Sequence, residues 1–315
     1  MASQVSDGAS SWSSPGDEPT RSGLVNRILP EMELSSGGET SLTRPPAPIP
    51  ENLDVTARAL YRFAVDGNAV ITGGAGTLAL ECAKALLDHG LQGLALWDIN
   101  FDHSQATIEG LKKGYPNAKI ATIKVDVRVS STIDVALEDT VRIFGAVNIL
   151  CCFAGVVGCT PTVDVKAEEW KRIMDINCNG VFLCAQAVAR GMISQRSGGS
   201  IVLIASLSGH IVNFPQPQAA YNTSKAAVQH LTRCLAAEWA VHGIRVNSIS
   251  PGYMDTILNE GVGLAKARTM WNARNPMGRM GVPQELTGPL VLLCSRAGSY
   301  MNGADIKVDG GASVF

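Results

Sequence analysis

Two residues set the chemistry open to this chain. In the stretch AAYNTSKAAVQHLTRCLAAEWA, Tyr221 and Lys225 stand four apart in a strongly helical run. That spacing puts them on one face of the helix. An ammonium beside a phenol stabilises the phenolate, so Lys225 is expected to lower the Tyr221 pKa. A tyrosine tuned toward neutral pH gives or takes a proton at a carbonyl or alcohol oxygen. The apolar run before it, GSIVLIASLSGH, ends in Ser206 and Ser208. A hydroxyl at the end of such a strand can hold a substrate oxygen beside Tyr221. Further upstream, DINCNGVF puts Asn177 inside a long helical stretch. Asparagine is a poor helix former, and its amide is a candidate for organising water behind Lys225 as a proton path.

A second set of residues reads as an anion site. VITGGAGTLALECA, residues 70–83, follows a short apolar strand and opens an amphipathic helix. Backbone N–H groups of such a turn face a pyrophosphate at the helix N-terminus. Gly73, Gly74 and Gly76 are present, followed by Leu78, but Thr77 and Ala79 stand where further glycines of a dinucleotide turn are expected. Asp98 closes the next strand, LWDIN, about 20 residues past the turn, where a carboxylate accepts hydrogen bonds from ribose hydroxyls and repels a 2′-phosphate. No Arg or Lys lies between Thr72 and Ala83. Both features favour NAD over NADP. Asp126, in IKVDVRVSST, is placed to meet an adenine amino group with Val127 walling the ring; capping of its own loop is the alternative.

The elements that must position these groups alternate. NAVIT, GLALWD, AKIATIKVD, VNILCCFAG, GSIVLIAS, IRVNSISPG and DIKVDGG are strand-like, and helix-length segments separate most of them. This pattern predicts an α/β fold of the Rossmann-like, doubly wound kind: a parallel sheet of about seven strands with helices on both faces. One domain is expected over 51–315. Residues 1–50, rich in Ser, Gly and Pro, read as a disordered or loosely attached tail. Acidic residues in that tail argue against a mitochondrial presequence.

Composition narrows the partners. The 315 residues carry a formal net charge of −2, with 17% charged and 46% hydrophobic residues. Nothing in this balance favours nucleic acid or an acidic membrane, and no apolar run spans a bilayer. The eight cysteines form no Cys-x-x-Cys pair. They are expected to be reduced, buried hydrophobes in a cytoplasmic protein, with neither disulfides nor a metal site.

From about 66 to 313 the chain resembles the classical short-chain dehydrogenases/reductases. TGGAGTLA is similar to their Thr-Gly-x-x-x-Gly-x-Gly turn, CFAG to Asn-Asn-Ala-Gly, and DINCNGVF carries the family Asn at 177. Tyr221 and Lys225 fit Tyr-x-x-x-Lys, and SPGYMDT fits Pro-Gly-x-x-x-Thr. The resemblance implies a catalytic set of Asn177, Ser206, Tyr221 and Lys225, with Ser208 as an alternative to Ser206. Lys225 would also hold the nicotinamide ribose. It implies that Ala154, Gly155, Pro251, Gly252 and Thr256 line the cofactor, Thr256 at the nicotinamide carboxamide. Hydride would pass between NAD(H) and a secondary alcohol or ketone, and the protein would be a homotetramer or dimer.

Within the family, SGHIVNFPQPQAAYNTSKAAV and SISPGYMDT look like fungal polyol and ketose enzymes: arabinitol and mannitol 2-dehydrogenases and sorbose reductases. Related sequences also serve in secondary metabolism. Met254, Leu258 and Trp271 are apolar candidates for a substrate wall, in a segment that resembles a lid. Too few polar side chains can be placed for a wholly sugar-shaped pocket, so a larger, less polar ketone is the second substrate class. Two other function classes are a quiet NAD(H)-binding member and a cofactor-bound enzyme of non-redox isomerisation or cyclisation.

Overall fold

Seven short apolar segments pair in parallel to form the centre of the molecule: β1 (Asn68–Thr72), β2 (Gly93–Asp98), β3 (Lys119–Lys124), β4 (Ile149–Cys152), β5 (Gly199–Ile204), β6 (Ile244–Pro251) and β7 (Asp305–Val308). Their spatial order is β3-β2-β1-β4-β5-β6-β7. The computed structural model describes residue 25 and residues 29–315 except residue 260, with Leu258 described through its backbone alone. Ser35–Phe315 forms one compact unit. Most of the expected tail thus lies outside the described residues.

The strands follow from their side chains. β1, β2, β4, β5 and β6 are buried almost throughout, whereas the edge strands β3 and β7 are only partly covered. Near-continuous apolar runs are what a sheet covered on both faces requires. Two core clusters form, one on each face. The first holds Ile71, Leu86, Leu94, Leu96 and Leu290. The second holds Val70, Trp97, Leu150, Val188 and Leu203. Trp97 is fully buried, and its indole N–H donates to Thr140 Oγ1 at 3.1 Å, which satisfies its polar edge.

The helices are α1 (Val55–Phe63), α2 (Thr77–Asp88), α3 (Gln105–Gly114), α4 (Ser130–Phe144), α5 (Ala167–Met174), α6 (Gly180–Gln195), α7 (Ala219–Trp239), α8 (Ala265–Ala273) and α9 (Thr287–Cys294). The sequence suggests one long helix from about 167. The structure instead joins α5 to α6 through a π-helical segment, Asp175–Asn179. α3 begins at Gln105, after Ser104. The sheet order reverses between β1 and β4. That reversal opens a crevice beyond their C-terminal ends, the place where open α/β sheets bind ligands.

Candidate active site

The crevice is built by two loops in close contact. After β1, Gly73 adopts φ +65°, and a Cβ there would lie 2.7 Å from the Ala154 backbone N. Gly74 is equally confined, since a Cβ at that position would come within 2.9 Å of Leu96 Cβ. The remaining turn positions are less demanding. Gly76 caps α2 with φ −75°, and Thr77 is its exposed first residue. Among the described residues Arg196 alone combines a side chain with positive φ, so neither Thr77 nor Ala79 is strained. Leu78 and the buried Ala79 pack toward the core beneath the turn. The two glycines that the backbone requires are therefore retained.

Asp98, at the end of β2, bridges to this turn. Its Oδ2 accepts from the Ala75 N–H at 3.0 Å and its Oδ1 from the Asn100 N–H at 3.1 Å. Asp126, past β3, is engaged by Arg128, whose Nη2 lies 2.6 Å from Oδ2 and whose Nε donates to Oδ1 at 2.9 Å. Arg128 holds this carboxyl below the usual range. The Arg128 backbone N–H also donates to Oδ1, so the loop-capping role is present. Val127 stands beside it with its methyls against Gly180, the first residue of α6.

Four further side chains meet at the C-terminal ends of β4 and β5. Lys225 is 4% exposed, and its Nζ donates to the Ile204 carbonyl at 2.8 Å. The same Nζ lies 5.8 Å from the Tyr221 ring centroid. Asn177 is fully buried in the π-helical segment; its Oδ1 accepts from the Val156 N–H at 2.8 Å, and its Nδ2 donates to the Val156 carbonyl and to Ser224 Oγ. A π-helical insertion breaks the ordinary i→i−4 pattern, a device found mostly at functional sites. Ser206 Oγ is hydrogen-bonded to Ser208 Oγ at 3.0 Å and accepts from the Ser208 N–H. Of the two serines it is Ser206 whose hydroxyl acts on the Tyr221 phenol. Ser208 stands behind it.

The electrostatics correct one expectation. Burial pushes the Tyr221 phenol above its ordinary value, while the Ser206 hydroxyl pulls it down less strongly and Tyr253 adds a smaller upward push. The lowering expected from Lys225 is not among these influences. Burial instead pushes Lys225 itself down to about 8, which weakens the cation it offers.

A third group lies within electrostatic reach of Tyr221. Its stretches, FPQPQ at 214–218 and the segment from Tyr253 to Trp271, are ones the sequence offers as shaping the substrate, but their polar side chains are not singled out there. Tyr253 follows Pro251 and Gly252 at the end of β6, the strand paired with β5 and hence with the strand that leads to Ser206. Its ring stacks on Trp271, with centroids 4.2 Å apart and planes at 8°. Its phenol oxygen accepts from Asn213 Nδ2 at 2.7 Å and from Gln216 Nε2 at 3.0 Å. Gln216 also donates to Gln218 Oε1 and accepts from Trp271 Nε1. Gln218 immediately precedes α7, and its carbonyl accepts from the Asn222 N–H. These partners are 37 to 55 residues apart in sequence where they join Tyr253 or Trp271, so no local pattern announces them.

The description "enoyl-(acyl carrier protein) reductase" belongs to a family model that matches residues 73–313. The chain is 42% identical over 262 residues to galactitol 2-dehydrogenase of Rhizobium johnstonii, an alignment covering 81% of this chain and 98% of the relative. The chain belongs to the short-chain dehydrogenase/reductase family. A probable NADP-dependent mannitol dehydrogenase of Yarrowia lipolytica is 37% identical over 276 residues, covering 86% of this chain and 96% of that one. Among solved structures, a short-chain type dehydrogenase/reductase from Mycobacterium marinum superposes with a TM-score of 0.77 at 42% identity, covering 81% of this chain and 98% of that chain.

Membership makes the chain an oxidoreductase of CH–OH groups and implies a nicotinamide cofactor. The crevice fits one. An ammonium has three N–H donors, and Lys225 spends one, on Ile204. The others sit buried beside the bare edge of Gly155, where a Cβ would lie 3.7 Å from Nζ and 3.4 Å from Asn177 Oδ1. A ribose hydroxyl is what such a recess can satisfy. Pro251 and Thr256 are buried along the same end of the sheet as Gly252 and Ala154.

The three apolar candidates for a substrate wall separate. Trp271 is 6% exposed and reaches the site through its stack on Tyr253. Met254, 3% exposed, belongs to the core cluster under α9, because it follows Tyr253 and an adjacent side chain points the other way. Leu258's side chain lies outside the described residues. The cysteines are all free, five of them buried. Among the described residues no His, Cys, Asp or Glu cluster could hold a metal and no helix is long and apolar enough to cross a membrane.

Behind Ser206 lies a second network that sequence reading did not find. Gln229 Nε2 donates to the Ser206 carbonyl at 3.0 Å and to Ser250 Oγ at 3.2 Å. Ser250 and Ser248 donate to Asp305, whose other oxygen meets His210 at 2.6 Å. This chain of bonds ties the serine loop to β6 and β7.

Proposed function

We propose that this protein is an NAD(H)-dependent polyol 2-dehydrogenase that interconverts a secondary alcohol of a sugar alcohol with the corresponding ketose. The observation that carries the substrate class is the polar set Asn213, Gln216, Gln218 and Tyr253 on the substrate side of Tyr221. These are the polar groups that a sugar-shaped pocket needs. They argue against a wholly apolar ketone, and the names of the similar galactitol and mannitol enzymes point the same way. Asp98 and the uncharged glycine turn support NAD over NADP.

Bound in the crevice, the nicotinamide supplies a hydride acceptor or donor. Gly73, Gly74, Gly76 and Thr77 would form the edge for the phosphates, Asp98 would meet the adenosine ribose, and Asp126 with Val127 the adenine. Ala154, Gly155, Pro251, Gly252 and Thr256 would wall the nicotinamide half, and Lys225 would donate to its ribose. Tyr221 exchanges a proton with the substrate oxygen. Ser206 donates a hydrogen bond to that oxygen and fixes its position. Because burial favours the neutral phenol, Tyr221 is ready as a proton donor toward a carbonyl; oxidation of an alcohol requires the phenolate, which the bound state must stabilise. Asn177 holds the loop at Val156 and supports the proton path behind Lys225.

The test is turnover of galactitol, mannitol and D-arabinitol, and of their ketoses in reverse, with NAD(H) and NADP(H). Wild type should favour NAD(H), and Tyr221→Phe should lower kcat by ~100-fold or more. A variant as active as wild type would remove Tyr221 from the proton step. A preference for NADP(H) would overturn the cofactor assignment, and reduction of bulky ketones alone would overturn the substrate class.

A further inference from the structure

Tyr221, Lys225 and Gln229 stand four apart on α7 and share one stripe of the helix. Tyr221 carries the proton that the reaction moves. Lys225 Nζ donates to the Ile204 carbonyl at the end of β5. Gln229, about one turn further along and 7% exposed, donates from Nε2 to the carbonyl of Ser206 itself at 3.0 Å. A carbonyl oxygen only accepts. The atom facing it must be the amide NH2, so the orientation of the Gln229 side chain is fixed.

The second proton of that NH2 faces Ser250 Oγ at 3.2 Å. Ser250 has one proton of its own and spends it on Asp305, whose two oxygens both lie 2.9 Å from Oγ. A carboxylate accepts only, so Ser250 is left to accept from Gln229. Asp305, on β7, also accepts from Ser248 Oγ at 2.6 Å and meets the His210 ring at 2.6 Å. His210 follows the 3-10 turn Leu207–Gly209, and Ser206 precedes it. Both ends of the serine turn therefore lead to one carboxylate. The amide also lies against the turn: a Cβ at Gly209 would fall 2.6 Å from Nε2 and 2.7 Å from Oε1. Bonds within the turn, from the Gly209 N–H to the Ser206 carbonyl and from the Ser208 N–H to Ser206 Oγ, set its shape. They do not set its distance from α7. Gln229 ties the turn directly to that helix, on which Tyr221 stands.

We propose that Gln229 is a positioning residue for the reaction: from α7 it holds the Ser206 carbonyl and so sets the Ser206 hydroxyl at a fixed place relative to the Tyr221 phenol. This rests on the Proposed function for the parts played by Ser206 and Tyr221, and deepens it. Gln229 acts through the serine and not on the substrate. Asp305, reaching in from the edge strand through Ser250, requires the same orientation of the amide as the Ser206 carbonyl does. The Ser206 hydroxyl pulls the Tyr221 phenol down against the push of burial, an influence that weakens if the serine turn moves away from α7.

The experiment pairs Gln229→Met, which keeps the length of the side chain and removes its N–H donors, with Ser206→Ala and the double variant. Thermal melting checks the fold of each. Single-turnover reduction of a ketose by bound NADH should slow by ~10- to 100-fold in Gln229→Met, the scale of a misplacement of up to about 1 Å, while the Kd for NADH stays where it is. In the Ser206→Ala background the same substitution should slow the step by less than ~2-fold, because the group through which it acts is gone. Gln229→Asn keeps the amide but withdraws it by one carbon. It should behave as Gln229→Met does, and it carries the test if the methionine variant does not fold. Losses that multiply in the double variant mean a general structural role and overturn the assignment, as does a wild-type rate in the Gln229 variants. If wild type reduces no ketose and oxidises no polyol, the proposed function falls, and crystal structures of wild type and Gln229→Met decide the positioning by themselves. Ser206 Oγ displaced by ~0.5 Å or more relative to the Tyr221 phenol supports it, and an unmoved Ser206 overturns it.

Discussion

At the scale of single residues, the chemistry is carried by groups whose burial sets their charge. Lys225 ordinarily titrates at 10.5 but is held at about 8 by burial. Below pH 8 the folded protein must keep a cation in a site that disfavours it, and the full penalty applies. Between 8 and 10.5 the unfolded chain binds more protons at this residue than the folded one, so stability rises with pH across that window. The expected gain of wild type over Lys225→Met, in the cofactor-free protein, is about 3 kcal/mol. Denaturant unfolding of both proteins at several pH values measures it; parallel curves would show that Lys225 keeps its ordinary pKa. Other buried groups, the cysteines and Tyr221 among them, titrate in both proteins and cancel in the difference. This residue was legible in sequence because type and spacing suffice: Tyr221 and Lys225 share a helix, and Ser206 ends a strand. Its pKa was not legible, since desolvation depends on chain segments far away. The pairing of Tyr253 with Asn213 and Gln216 was not legible for the same reason. Each is an ordinary polar residue until a partner 37 to 55 positions away meets it.

At the scale of elements, alternation of apolar runs with helix-length segments was enough to give the parallel sheet and its helices. β2 and β5 lie within the runs GLALWD and GSIVLIAS. Insertions inside a helix leave no such mark. The π-helical segment Asp175–Asn179 changes no periodicity that a reader could catch, although it fixes where Asn177 points. The turn between β1 and α2 shows the opposite case, where sequence raised a doubt and backbone geometry answers it. Glycine is needed at 73, with φ +65° and no room beside Ala154, and it is not needed at 77 or 79. Gly73→Ala should therefore cost about 2–4 kcal/mol, from the left-handed conformation and from the clash together. Gly76→Ala, at φ −75° with its nearest neighbour at 3.2 Å, should cost less than about 1 kcal/mol. Urea unfolding of the two variants separates these values. Equal costs would mean that close approach, not conformation, governs the turn.

At the scale of the whole molecule, one parallel sheet carries both the glycine-turn crevice and the group around Tyr253, because strands on either side of the β1/β4 reversal end at the same face. From the sequence, the domain is expected to begin at residue 51. Ser/Gly/Pro-rich composition marks weak local preference, not the absence of contacts, and it cannot distinguish a free tail from a segment laid on a domain. Residues 35–50 lie in the same compact unit as the sheet. Arg296 Nη2 donates to the Ala47 carbonyl at 2.6 Å while its guanidinium stacks over Tyr61 in α1. Leu42 sits against Gly243, where a Cβ would come within 2.6 Å of its side chain, just before β6. Losing one charge-assisted hydrogen bond and one half-covered leucine is worth about 2–3 kcal/mol. A chain that begins at residue 51 should therefore melt about 4–10 °C below one that begins at residue 35. Differential scanning calorimetry of the two truncated proteins decides this. Equal melting temperatures would mean that residues 35–50 rest on the domain without stabilising it, and that the folded unit begins at the strand-bearing region alone.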